Sequence, residues 1–180
     1  MQYENIMKAQ QQTIRPQDVV ILLKIITYGE DPWYQKPLSE QLRMSQSEVS
    51  ESVARSKFAG LLDPTGKKVF KLALMEFLEH GIRYIFPQRP GPVVRGVPTA
   101  HSTYPLNEVI QSEENYVWPS GKGNVRGHSI VPLYPSAVDA AQLDPKLHEL
   151  LALVDALRVG RAREKEIALK ELRSRIINGK

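Results

Sequence analysis

A chain of 180 residues with 42% apolar and 24% charged side chains can bury a real core, which excludes disorder of the whole chain. No cysteine occurs, so disulfide staples, thiol nucleophiles and cysteine-ligated zinc are excluded. The net charge is +4, and the excess is local: residues 158–180 hold eight basic and three acidic side chains, against eleven and ten in residues 1–86 and five and seven in residues 87–157.

The stretch from Met1 to Gln12 is polar and glutamine-rich and lacks the apolar centre of a signal peptide, and no segment approaches the roughly 20 apolar residues of a membrane span. A cytoplasmic protein with no membrane contact is expected. From Arg15 to Tyr28, apolar positions at Val19, Leu22, Leu23, Ile25 and Ile26, with Pro16 in the first turn, predict a helix. Gly29 to Pro32 ends it, and Lys36 to Arg43 reads as a short second helix with Leu38 and Leu42 on one face, followed by a tight turn at Met44.

Ser45 and Glu48 have the spacing of a capping box, so a third helix is expected from Gln46 to about Ala59, turning Val49, Val53 and Phe58 inward and stopping at Gly60. After a turn at Asp63 to Gly66, with room for only a stunted β-wing up to Lys71, apolar residues at Leu74, Phe77, Leu78, Ile82 and Ile85 predict a fourth helix over Val69 to Phe86. The prolines at 87, 90, 92, 98 and 105 rule out helix and suggest an extended linker. Tyr116 to Trp118 and Val125 to Val131, around the glycine-rich Pro119 to Asn124, predict a small hairpin.

A weak internal echo sets Val94-Arg95-Gly96 against Val125-Arg126-Gly127. Asp144 to Val159 has a capping Asp144, Pro145 in the first turn, and Leu147, Leu150, Leu151, Val154 and Leu157 on one stripe; a basic helix from Arg161 to Ile177 follows Gly160. The expected fold is mainly α with a small β component. It divides into residues 1–86, an extended and hairpin region over 87–143, and a C-terminal helical region over 144–180 that offers a dimerisation stripe.

The run LSEQLRMSQSEVSESVARSKFAGLL, Leu38 to Leu62, resembles the helix-turn-helix of bacterial transcription regulators of the winged-helix, MarR-like kind. That resemblance implies a recognition helix starting at Ser45 that enters a major groove about 12 Å wide, in a homodimer on double-stranded DNA. It implies base contacts from Gln46, Ser47, Ser50 and Arg55, since glutamine and arginine can pair with adenine and guanine edges. Phosphate contacts would come from Lys36, Arg43, Lys57, Lys67 and Lys68. The alternative is a protein-interaction module such as an antitoxin that grips a partner and autoregulates; Arg95, His101, Arg126 and His128 are candidates for a partner surface.

The four histidines, 80, 101, 128 and 148, have no metal-ligand spacing, GKGNVRG is not a phosphate loop, and no nucleophile elbow occurs. No cofactor, metal or catalytic residue is expected, and the chain does not read as an enzyme.

Overall fold

The computed structural model describes residues 1–4 and 12–179; the part of the glutamine-rich N-terminal stretch between them lies outside the described residues. Eight helices and a three-stranded sheet follow from Pro16 onward: α1 Pro16–Thr27, α2 Gln35–Leu42, α3 Gln46–Phe58, α4 Lys71–His80, α5 Ile82–Ile85, β1 Val93–Pro98, β2 Tyr116–Pro119, β3 Val125–Ser129, α6 Ala137–Leu143, α7 Pro145–Val159 and α8 Ala162–Ile177. Single 3-10 turns stand at Ala100–Ser102 and Leu106–Glu108. Among the described residues no helix is long and apolar enough to cross a membrane.

α1 is buried nearly all round, from Asp18 through Ile25, because α3 covers one side and α7 another. Lys24 within that run is buried and donates to Asp144 Oδ2 at 2.6 Å. The other carboxylate oxygen of Asp144 accepts the Leu147 amide and caps α7, so one side chain satisfies a buried ammonium and starts a helix.

α3 begins as the sequence implies, with Ser45 Oγ accepting the Glu48 amide at 3.0 Å. It ends at Ala59 and Gly60, the latter at φ +74, a conformation that glycine adopts without strain. Its buried positions are Val49, Ser52, Val53, Arg55 and Ser56. The expectation for Phe58 is overturned: it is exposed, since five residues beyond Val53 is about 140° around the helix. The predicted fourth helix is two, broken at Gly81, the poorest helix former after proline.

The proline-rich segment is not a linker, for it contains β1, the strand that pairs with both others. The hairpin expectation is also corrected. β2 is antiparallel to β1 over Gly96 to Pro98, β3 is antiparallel to β1 over Val93 to Gly96, and β2 and β3 are parallel to each other, closing the sheet. Gly96 faces both Pro119 and Val125, so the loop 120–124 passes across β1 at this residue. A methyl group on Gly123 would stand 2.1 Å from the Gly96 carbonyl, and one on Gly96 the same distance from the Trp118 carbonyl oxygen. Only glycine allows that crossing.

Asp155 on α7, fully buried, accepts from Thr99 Oγ1 at 2.7 Å and Trp118 Nε1 at 2.6 Å on the sheet side and from Arg158 at 2.8 Å on its own helix. Burial pushes its carboxyl up from the ordinary range despite Arg158. The stripe Leu147, Leu150, Leu151, Val154 and Leu157 is buried inside the chain itself. It therefore cannot be the dimerisation face expected of it. α8 lies on α7 and α4 through Ala168, Leu172 and Ile176.

Candidate nucleic-acid interface

Between α2 and α3 only three residues intervene, Arg43, Met44 and Ser45. Arg43 adopts the left-handed conformation at φ 53, ψ 41, the usual way to end a helix within one residue. Its amide and that of Met44 return to the last carbonyls of α2, and Met44 is buried as the filling of the turn. α2 is fixed from outside as well, since Ser136 Oγ donates to the Leu42 carbonyl at 2.7 Å.

On the outer side of α3, Gln46, Ser47 and Ser50 are exposed, with Glu51, Ala54 and Lys57 continuing the same side. Three of the four expected base-contact residues are thus accessible in the protein. Arg55 is not. Its guanidinium is buried, with Nε 2.9 Å and Nη2 2.7 Å from the two oxygens of Asp18, Nη2 2.8 Å from Glu48 and Nη1 3.6 Å from Glu51. Asp18 is completely buried and also accepts the Arg15 amide.

The physical reason is the aspartate. A carboxylate within the most apolar helix of the chain needs a cation, and the fork of an arginine meets it bidentately. The bond to Asp18 holds the Arg55 guanidinium firmly protonated, with its pKa above the usual value. Burial raises the Glu48 carboxyl, but hydrogen bonds from Arg55 and Gln17 and the positive charge of Arg55 and Arg15 outweigh it, leaving the pKa below the ordinary one. Glu48 therefore does not complete a reciprocal capping box; its carboxylate turns to Arg55 and Gln17. Arg55 locks α3 to α1 instead of reaching a ligand.

Lys36, Arg43, Lys57, Lys67 and Lys68 are all exposed. Lys67 and Lys68 stand at the base of a short loop closed by one antiparallel bridge, Leu62 to Val69. Asp63 Oδ1 accepts both of their amides at 2.8 and 2.9 Å, and Oδ2 accepts Thr65 Oγ1. The amide of Lys68 and the Thr65 hydroxyl hold the Asp63 carboxyl down to a pKa of about 2. The Lys67 ammonium lies 4.7 Å over the Trp33 ring and 5.3 Å from the Tyr34 ring.

Two cations near α3 were not anticipated from the sequence. Arg15, exposed at the start of α1, adds positive charge beside Glu48. Lys122, in the loop that crosses β1, stands 3.5 Å from Asp139 on α6, whose other oxygen accepts from Arg43 at 2.8 Å. Asp139 joins the glycine-rich loop to the α2–α3 turn, a contact that no sequence spacing signals.

Of the candidates for a partner surface, Arg95 and Arg126 are exposed. His101 is buried, with Nε2 2.8 Å from the Glu114 carbonyl and its ring on the edge of Tyr116. His128 is half-buried, with Nδ1 2.9 Å from the Gly91 carbonyl. These two rings tie strand to loop and do not face outward as a pair. Among the described residues no group of acidic and histidine side chains could hold a metal ion. Comparison with protein-family models, with curated proteins and with solved structures finds no match to this chain.

Proposed function

We propose that the chain is a sequence-specific DNA-binding regulator whose α2, turn and α3 act as a helix-turn-helix. The observation that carries this reading is the exposure of Gln46, Ser47 and Ser50 together on the first turns of a helix capped by Ser45. Side chains there precede the bulk of the protein into a major groove, and the amide of glutamine can pair bidentately with adenine. Lys36, Arg43 and Lys57 flank that face, and Lys67 and Lys68 on the short loop supply further positive charge. Such contacts position a duplex without specifying its sequence.

The test is an electrophoretic shift with the promoter of the chain's own gene over a salt series. Specific binding that weakens steeply with salt is expected. Gln46→Ala and Ser50→Ala should each reduce the preference over random competitor by about 1–3 kcal/mol, with the fold intact. Equal affinity for promoter and random duplex would overturn the reading.

A second reading, a protein-interaction module of the antitoxin kind, is favoured by one observation. Phe58 and Phe70 are exposed at the far end of α3, beside Ala54, Lys57 and Pro64, an apolar cluster open to a protein partner. Co-purification of a stoichiometric protein lost on Phe58→Ser would favour it.

A further inference from the structure

The two Val-Arg-Gly tripeptides of the sequence echo lie side by side. In the antiparallel ladder between β1 and β3, Val94 faces Gly127, Arg95 faces Arg126 and Gly96 faces Val125. The two copies therefore meet about a local twofold centred on the arginines. The glycines of each copy are buried where another backbone passes within reach of a methyl group, while both arginines are exposed.

Like charges directly opposite on neighbouring strands destabilise a sheet. Here neither guanidinium makes an ion pair or a side-chain hydrogen bond among the described residues. Glu114, just before β2, lies 4.0 Å from His128. Two unneutralised forks at cross-strand spacing, on an open strand face, suit the oxygens of a phosphodiester chain.

β1 connects with the α2–α3 turn through the crossing loop. The Arg95 carbonyl accepts the amide of Ser120, which begins the loop that carries Lys122 to Asp139, and Asp139 also holds Arg43 at the α2–α3 turn. Lys122 and Arg43 keep most or about half of their side-chain surface in solvent, at 70% and 52%. Arg43 and Lys122 thus share Asp139 at the turn, while the loop that carries Lys122 starts from a backbone bond to Arg95.

We propose that Arg95 and Arg126 form a phosphate clamp on the sheet that extends the duplex-DNA contact of α3 beyond the recognition helix. The proposal rests on the reading of the chain as a duplex-DNA binder. It gives the closed sheet a role: the crossing loop and its glycines hold two arginines in register and deliver Lys122 to the turn. The occupant is duplex DNA because, on that reading, α3 engages a duplex beside the turn that Lys122 reaches through Asp139, and two unneutralised guanidinium groups complement the charge of its phosphates.

The experiment is fluorescence anisotropy of the full chain on labelled duplex over a salt series, with promoter and random sequence in parallel. The double variant Arg95→Gln, Arg126→Gln should lower the log–log salt slope by about 2, equally on both sequences. Its melting temperature should equal or exceed that of the wild type, because a like-charge pair is removed. Arg163→Gln on α8 serves as the control and should leave the slope unchanged. An unaltered slope in the double variant, while Gln46→Ala loses sequence preference, overturns the clamp and leaves the regulator reading in place. A shallower slope in the double variant, while Gln46→Ala and Ser50→Ala keep full sequence preference, supports the clamp and removes the recognition role of α3.

Discussion

Arg55 illustrates how a residue of the right type in the right helix can serve the fold. Removing it would leave the wholly buried Asp18 carboxylate without its guanidinium partner, with Glu48 and Glu51 losing the same cation. Breaking a buried pair from one side costs about 3–5 kcal/mol. Arg55→Ala is therefore expected to lower the unfolding free energy from chemical denaturation by that much, and any loss of duplex binding should track the loss of folded protein. A variant that remains as stable as the wild type and yet fails to bind would return Arg55 to the interface. Asp63 makes a prediction of the opposite weight. Its carboxyl is held at about 2, so the hydrogen bonds that close the Lys67–Lys68 loop contribute above the ordinary carboxylate range and are lost as pH falls toward 2. An NMR titration should find its midpoint near that value, and Asp63→Asn should broaden the amide signals of Lys67 and Lys68 without changing the rest of the spectrum.

At the scale of elements, the turn before α3 is where stability and the proposed duplex binding can be separated. A non-glycine residue in the left-handed conformation costs roughly 1 kcal/mol, and the bond from an exposed Arg43 to a half-buried Asp139 offsets little of it. Arg43→Gly is thus expected to leave the melting temperature equal or higher while weakening duplex binding on every sequence, measured by the same salt series. Lower stability would mean that the contact with Asp139 outweighs the strain. The helices themselves were legible because period and caps coincide: Ser45, Asp144 with Pro145, and Gly60 each mark an end that the structure keeps. β1 was not, because prolines 92 and 98 argue for a linker and only tertiary pairing reveals a strand between them. The parallel pairing of β2 and β3 was equally hidden. A five-residue glycine-rich loop reads as a hairpin turn, and what reverses that reading is the close approach of Gly123 to Gly96, two residues far apart in the chain. The exposed positions Gln46, Ser47 and Ser50 followed from helical spacing, whereas the burial of Arg55 could be inferred only from the demand of Asp18 in α1.

The division of the chain into three segments along the sequence does not extend to its core. Val19 to Leu23 on α1 and Leu147 to Leu157 on α7 belong to one contiguous apolar cluster with Leu38, Leu42 and Leu74. α3 is pinned to α1 by Arg55, α1 to α7 by Lys24 and Asp144, and α7 to the sheet by Asp155. Residues 1–86 alone would expose the apolar surface that α7 covers, and are expected to lack cooperative melting by circular dichroism; independent folding of that fragment would show that α7 is an addition to a finished domain. Asp155 tests the same connection within the full chain. Asp155→Ala removes the acceptor of Thr99 and Trp118 and leaves Arg158 with two backbone carbonyls, of Phe86 and Val131, as its partners. The cost should be about 3–5 kcal/mol. Because Val97 and Trp118 of the sheet belong to the same apolar cluster as α7, the near-ultraviolet signal of the buried Trp118 and the far-ultraviolet helical signal should still be lost in a single transition. Two separated transitions would mean that the sheet can leave while the helices stay folded, and the proposed phosphate clamp at Arg95 and Arg126 would then be carried by an element able to detach from α3.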